Sequence, residues 1–276
     1  MSAATVASLP HALHDRLLAD QIGDRRPAIF LDYDGVLTPI VDRPEDAIMS
    51  ESMRATVREL AGRYPVCIVS GRDRRVVQKL MGLDDLVVAG SHGFDIWSPN
   101  QGSITHDAAA GYEGLIERVS LRLQAEVGQI GGVVIERKHA SVAVHYRLAD
   151  ADGQARVEAV VRDLLAEHGD ELKMTPGKKV YELQPKIDWN KGKAVLYLID
   201  VLGLDSPDVV PIYLGDDITD EDAFRALRGR GIGIIVGHPD DHEVSGRTTA
   251  ADFVLRSTEE VQDLLATLAR RPRRAT

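Results

Sequence analysis

Continuous apolar runs alternate with amphipathic stretches along most of the chain. "PVCIVSG" at 65–71, "LVVAGSHG" at 86–93, "VVPIYLGDD" at 209–217 and "GIGIIVG" at 231–237 are bounded by turn residues, as is the run Ile29–Leu31. Runs of this kind read as strands buried on both faces. Between them, apolar residues recur at helical spacing: Leu13, Leu17 and Leu18 within Pro10–Asp20, and Met53, Val57 and Leu60 within "SESMRATVRELAGRY". Ser50 is placed to cap the latter helix and Gly62 to end it. "DRRVVQKLMGL", "NKGKAVLYLIDVLG" and "DEDAFRALRG" read as further helices. Strands and helices in alternation predict an α/β fold with a wound parallel sheet covered on both faces.

The pattern changes near Gly111. The helix "YEGLIERVSLRLQAEVG" precedes "GVVIERK" and "SVAVHYRL", which alternate as half-exposed strands do. A second helix, "DGQARVEAVVRDLLAEHG", precedes "ELKMTPG" and "KKVYELQP". This α-β-β-α-β-β unit predicts a small antiparallel sheet with two helices on one face. Residues 1–110 and 186–276 are therefore expected to form the wound core, with 111–185 as an inserted α/β domain.

Four polar clusters fall at or near the ends of the core strands, where wound sheets bind ligands. They are Asp32 with Asp34, then Ser70, then Lys191 at the start of a late helix, and Asp216 with Asp217 and Asp220. A lone aspartate or serine there is commonly a turn former or helix cap. Brought together, two carboxylate clusters repel unless a cation lies between them. All-oxygen donors without cysteine or histidine favour a hard ion, Mg²⁺. A carboxylate beside that ion, flanked by a hydroxyl and an ammonium, can attack a phosphoryl group. A second carboxylate two residues on can protonate the leaving oxygen and later activate water.

Composition narrows the classes. The chain has 276 residues, 44% of them hydrophobic, and 33 basic against 43 acidic residues leave a net charge of -10. Such a balance disfavours nucleic acid as a partner. The one basic cluster, Arg270, Arg271, Arg273 and Arg274, reads as a solvated tail. The single cysteine, Cys67, excludes an internal disulfide and reads as a small core residue. Neither a signal peptide nor a membrane span is evident, so a cytoplasmic protein with no membrane partner, monomeric, is expected.

The ordered clusters resemble the haloacid dehalogenase superfamily of phosphotransferases. "DYDGV" is similar to its first motif, with Val36 where threonine is more usual, "VSGR" to its second, "NKGKA" to its third and "GDDITDED" to its fourth. The resemblance implies Asp32 as the nucleophile that becomes a phosphoaspartate and Asp34 as general acid and base. Ser70 and Lys191 would hold the phosphoryl group. Mg²⁺ would bind the Asp32 side chain, the Asp34 backbone carbonyl and Asp216, with Asp217 and Asp220 in support. Within the superfamily, "GSHGFDI", "ERKHASVAVHYR", "PGKKVYELQP" and "WNKGKAV" are similar to trehalose-6-phosphate phosphatases. That likeness implies a cap domain whose Glu136, Lys138, Lys178 and Glu182 bind the disaccharide, with Arg72 and His92 facing the sugar phosphate from the core.

The strand pattern gives the cap residues a reason of their own. Glu136 and Lys138 fall on one face of their strand, and Lys178 and Glu182 share a face with Val180 between them. A charged face of this kind suits either solvent or a hydroxyl-rich sugar. The expected activity is Mg²⁺-dependent hydrolysis of trehalose 6-phosphate. Another sugar phosphate, such as sucrose 6-phosphate or a glycosyl phosphoglycerate, is the alternative substrate, and a sugar-phosphate sensor without turnover the alternative class.

Overall fold

The structure is a computed structural model and describes residues 4–14, 16–104, 111–138, 140–177, 179–238, 241, 244 and 246–271. In chain order its elements are β1 (Ala4–Thr5), α1 (Arg16–Ile22), β2 (Arg26–Leu31), α2 (Glu51–Ala61), β3 (Val66–Val69), α3 (Arg74–Met81), β4 (Val87–Gly90), β5 (Asp95–Ser98) and β6 (Gly102–Ile104). There follow α4 (Glu113–Glu126), β7 (Val134–Arg137), β8 (Val142–His145), α5 (Ala151–Glu167), β9 (Leu172–Gly177) and β10 (Val180–Pro185). The chain ends with α6 (Lys191–Val201), β11 (Val209–Gly215), α7 (Glu221–Leu227), β12 (Ile232–Val236), β13 (Thr248–Thr249), β14 (Phe253–Leu255) and α8 (Thr258–Ala269). Two compact units result: Met1–Ile104 with Asn190–Thr276, and Thr105–Trp189.

The first unit is built on an eight-stranded sheet in the order β14-β12-β11-β2-β3-β4-β5-β6. It is parallel from β14 to β4 and antiparallel at β5 and β6. Alternation of side chains splits the strands between two faces. Ile29 and Leu31, Ile212 and Leu214, and Ile232 and Ile234 join one core cluster with Leu18, Met53, Val57, Leu60, Val77, Leu264 and Leu268 from α1, α2, α3 and α8. Tyr213, on the other face, meets Phe224 of α7 edge-on at 5.8 Å. Each fully buried aliphatic side chain of this kind contributes roughly 1.5–3 kcal/mol. Ser50 caps α2 by accepting from the Met53 amide, and Gly62 ends it, as the pattern predicts. Cys67 is buried in β3, and burial pushes its thiol up to about 12, away from any nucleophilic role.

Two local expectations are corrected. The opening helix begins at Arg16 rather than near Pro10. Residues 10–12 instead run beside β14, with the Ala12 amide donating to the Val254 carbonyl at 3.0 Å and the Val254 amide to that of Pro10 at 3.1 Å. The start of the arginine tail is also tied down: Arg270 ends α8, and the Arg271 carbonyl accepts from the Arg63 guanidinium at 2.5 Å. Arg273 and Arg274 lie outside the described residues.

The second unit holds a four-stranded antiparallel sheet in the order β7-β8-β10-β9. Its apolar face, including Val142, Val144, Leu172 and Leu183, packs with Leu115, Val119 and Leu123 of α4 and Val157, Val160 and Leu164 of α5. The opposite face is polar and is described with the site. Among the described residues, no helix is long and apolar enough to cross a membrane.

Candidate active site

In the first unit β2 lies centrally, with β3 on one side and β11 on the other. The chain winds away to both sides from this point, which opens a crevice at the carboxyl end of β2. Asp32 is the first residue beyond β2, Ser70 the first beyond β3, and Asp216 the first beyond β11. Lys191 opens α6 behind an Asn190 cap that accepts from the Lys193 amide. The regular ends of three strands and one helix therefore bring the expected groups together, although up to about 180 residues separate them in sequence.

Asp32 is buried, and its amide donates to the Leu214 carbonyl at 2.9 Å. Its Oδ1 accepts from the Tyr33 amide at 2.7 Å and its Oδ2 from Lys191 Nζ at 2.9 Å. Lys191 is only 3% exposed and also donates to Asp220 Oδ1 at 2.7 Å. Asp220 is fully buried and serves as a hub. Its Oδ1 takes a second bond from the Tyr213 hydroxyl at 2.6 Å, and its Oδ2 accepts the amides of Asp216 and Asp217 at 3.0 and 2.9 Å. Four donors use all the lone-pair positions of one carboxylate. Asp217 caps the following short helical turn in a capping box with Asp220. Asp220 is thus taken up by the loop itself, while Asp217 Oδ1 accepts from the Ile218 amide at 2.6 Å.

Among the described residues, Asp32, Asp216 and Asp220 bring carboxylate oxygens within 4.8 Å of one another. One ammonium faces these three charges. Burial pushes the Asp32 carboxyl up to about 7, opposed by Lys191 and reinforced by Asp220 and Asp34. Burial also raises Asp216 well above the carboxylate range, with the charges of Asp32, Asp220 and Asp217 adding to it. For Lys191, burial works against the charge, but Asp220 and Asp32 outweigh it and hold the ammonium well above its ordinary range. The cluster carries more negative charge than its own cation neutralises. An all-oxygen donor set with surplus negative charge fits a hard divalent ion. Of the three clustered carboxylates Asp220 is saturated, so those of Asp32 and Asp216 could hold such an ion.

Gly35 lies beside this cluster with φ +71°, and a Cβ there would fall 2.3 Å from Asp216 Oδ2. Only glycine lets the first loop turn this tightly and come this close to the fourth. Val36, in place of the more usual threonine, is fully buried within the hydrophobic core.

Arg72 and His92 have more definite partners than the sequence indicates. Arg72 grips Asp34 with both prongs, Nε to Oδ2 and Nη2 to Oδ1, each at 2.6 Å, and Nη1 reaches the Pro44 carbonyl at 2.7 Å. The guanidinium takes one lone-pair position on each Asp34 oxygen and leaves the second position of each for a proton. Ser70 is buried, and its Oγ accepts from the Arg72 amide at 3.1 Å. His92 has left-handed backbone (φ 56°), its amide donates to the Ser70 carbonyl at 2.8 Å, and its ring lies against Gly71, where a Cβ would come 2.8 Å from Cε1.

On the polar face of the second unit's sheet, Glu136, Ala143, Glu182 and Thr175 sit opposite one another across four strands. Glu182 Oε1 accepts from Lys138 Nζ at 3.1 Å and from the Ser141 hydroxyl at 2.6 Å. Glu136 Oε2 pairs with His145 Nε2 at 3.1 Å, and Gln184 donates to the Thr175 hydroxyl at 2.7 Å. Burial raises the Glu136 carboxyl, but the His145 bond and the charge of Lys138 outweigh it and hold it below the usual range. Sequence pattern leaves His145 and Ser141 out of this set. An alternating strand hides which histidine finds a cross-strand carboxylate, since the register is set by the sheet. Lys178 lies outside the described residues.

The family model described as trehalose-phosphatase matches residues 30–273. A trehalose-phosphate phosphatase of Mycobacterium tuberculosis is 41% identical over 271 residues, which make up 98% of this chain and 68% of that protein. The solved C-terminal domain of Candida albicans trehalose-6-phosphate phosphatase aligns with a TM-score of 0.77 and 26% identity, covering 95% of this chain and 98% of that one. A haloacid dehalogenase-like hydrolase from Bacteroides thetaiotaomicron shares the fold at a TM-score of 0.65 with 14% identity, over 88% of this chain and all of that one. Four motifs in order, three at strand ends and one at a helix start, a buried Asp–Lys–Asp centre and matches across nearly the whole length agree: this chain is a phosphatase of the trehalose-phosphatase family, with the haloacid dehalogenase fold.

Proposed function

We propose that this chain hydrolyses trehalose 6-phosphate to trehalose and phosphate, with Mg²⁺ as its metal and a phosphoaspartate at Asp32 as its intermediate. The observation that carries the reading is the cluster of three carboxylates within 4.8 Å facing the single ammonium of Lys191. The Asp32 and Asp216 carboxylates and the Asp34 backbone carbonyl would hold Mg²⁺, which would supply the positive charge that lets an anionic nucleophile meet an anionic phosphoryl group.

The chain's own groups divide the remaining work. An oxygen of Asp32 attacks phosphorus, and the bond from phosphorus to the sugar oxygen breaks as Asp34 gives that oxygen a proton. Asp34 then takes a proton from water, whose oxygen attacks the phosphoryl group on Asp32 and frees phosphate. The Lys191 ammonium and Ser70 hydroxyl hold the phosphoryl oxygens throughout, and Asp217 and Asp220 keep the metal loop in shape. Arg72 and His92 meet the sugar phosphate. Glu136, Lys138, Lys178 and Glu182 of the cap, residues 111–185, bond the disaccharide hydroxyls, while residues 1–110 and 186–276 form the catalytic core.

Phosphate release across a panel of sugar phosphates, with and without Mg²⁺, tests this. Marked preference for trehalose 6-phosphate and loss of turnover in Asp32→Asn or in excess chelator are expected. Equal rates on monosaccharide phosphates would overturn the substrate, and full activity in chelator would overturn the metal.

A further inference from the structure

Both peptide edges of the loop after β11 are tied down. On one edge, the amides of Asp216 and Asp217 donate to Asp220 Oδ2. On the other, the carbonyls of the same two residues accept from Arg247, from Nη1 at 3.1 Å and Nη2 at 2.6 Å. Arg247 comes from the segment leading into β13, and its side chain is 15% exposed. Its Nη2 also reaches Oε1 of Glu221, itself buried, at 3.3 Å, and Glu221 Oε2 accepts from the Ala250 amide at 2.8 Å. One carboxylate thus anchors both the guanidinium and the strand that carries it. The Arg247 backbone is fixed from a third side, because its carbonyl accepts from the Val6 amide at 3.1 Å and β13 pairs with β1.

A guanidinium presents separate nitrogens to two carbonyl oxygens in a fixed planar fork, whereas an ammonium offers a single rotatable centre. With amides and carbonyls both held, the peptide planes on either side of Asp216 cannot rotate. That fixes the direction of its Cα–Cβ bond, and its carboxylate is held against Gly35. The same guanidinium adds positive charge behind a loop that has three aspartates. We propose that Arg247, anchored by Glu221, is a positioning residue that sets the Asp216 carboxylate for divalent-cation binding; this rests on the reading of Asp216 as a metal ligand. Groups that orient a ligand from behind typically change metal affinity 10–100-fold when removed.

The test is Mn²⁺ binding to the metal-free full chain, without substrate, read from the free-ion signal in electron paramagnetic resonance. Arg247→Met is expected to weaken Mn²⁺ binding at least about tenfold, Arg247→Lys to fall between it and the parent chain, and Glu221→Gln to weaken it several-fold. At saturating Mg²⁺ the KM for sugar phosphate stays unchanged, while the Mg²⁺ concentration for half-maximal turnover rises in parallel with the Mn²⁺ result. Folded Arg247→Met that binds Mn²⁺ like the parent overturns the inference. Should that variant not fold, unchanged affinity in both Arg247→Lys and Glu221→Gln overturns it. Asp216→Asn run alongside separates the two claims: if it too binds Mn²⁺ normally, the ligand reading itself falls and the inference with it.

Discussion

Replacing Lys191 by methionine keeps an unbranched side chain, one atom shorter, and removes the ammonium that bonds Asp32 and Asp220. Two charge-assisted bonds disappear, to Asp32 at 2.9 Å and to Asp220 at 2.7 Å, at a position 3% exposed. Breaking a buried pair by removing one partner costs about 3–5 kcal/mol, because the remaining charges are left uncompensated. The cost should depend on pH in a definite direction. Asp32 is already raised to about 7 by burial against the pull of Lys191, so losing that pull raises it further. A carboxyl raised in the folded state binds more protons folded than unfolded, so stability falls as pH rises, by up to about 1.4 kcal/mol per pH unit for one proton. The stability gap between parent and variant should therefore widen from pH 6 to pH 9. Urea denaturation followed by the fluorescence of Trp97 and Trp189, in chelator, measures it. A loss below about 1 kcal/mol, or one equal at both pH values, would refute the reasoning. Activity should be lost at every pH.

Gly35→Ala places a Cβ 2.3 Å from Asp216 Oδ2 on a backbone with φ +71°, and should cost about 1–3 kcal/mol and weaken Mn²⁺ binding in the same paramagnetic titration. His145→Ala removes the bond that does most to hold Glu136 below its ordinary value, leaving the charge of Lys138 alone against burial. A depressed carboxyl contributes stability above its unfolded pKa that is lost as pH falls through the folded one, so the parent's melting temperature should drop between about pH 5 and 3. The variant's should drop less over that window, and parallel curves would remove the Glu136–His145 pair from the account of the cap. The same variant should raise the KM for trehalose 6-phosphate with little change in kcat.

The wound core was legible because its strands are continuous apolar runs whose polar residues cluster where they end. Asp32, Ser70 and Asp216 could be grouped from strand ends, since the parallel sheet sets those ends side by side, and Lys191 from the start of the helix that follows the insert. Other features left weaker traces. β5 and β6 are short, β5 antiparallel to β4 and β6 antiparallel to β5, and "DIWSPNQGSI" resembles a loop until its partner strand is known. Ser257 caps α8, and its Val261, Leu264, Leu265 and Leu268 recur at helical spacing up to the arginine tail. The bond from Arg247 to the metal loop had no signal of any kind, because a guanidinium that binds backbone carbonyls 30 and 31 residues away requires no particular residue type there. Arg72 shows the limit of reasoning by motif: its place beside Ser70 was readable, but its two-pronged grip on Asp34 depends on how the two loops face each other.

Mass spectrometry of the acid-quenched enzyme during turnover of trehalose 6-phosphate, with Mg²⁺ present, looks for the intermediate itself. One phosphoryl group is expected on the peptide containing Asp32, absent in Asp32→Asn and accumulating in Asp34→Asn, where the water-activating carboxyl is gone. Turnover without any phosphorylated peptide, or with the phosphoryl group on a residue other than Asp32, would contradict it.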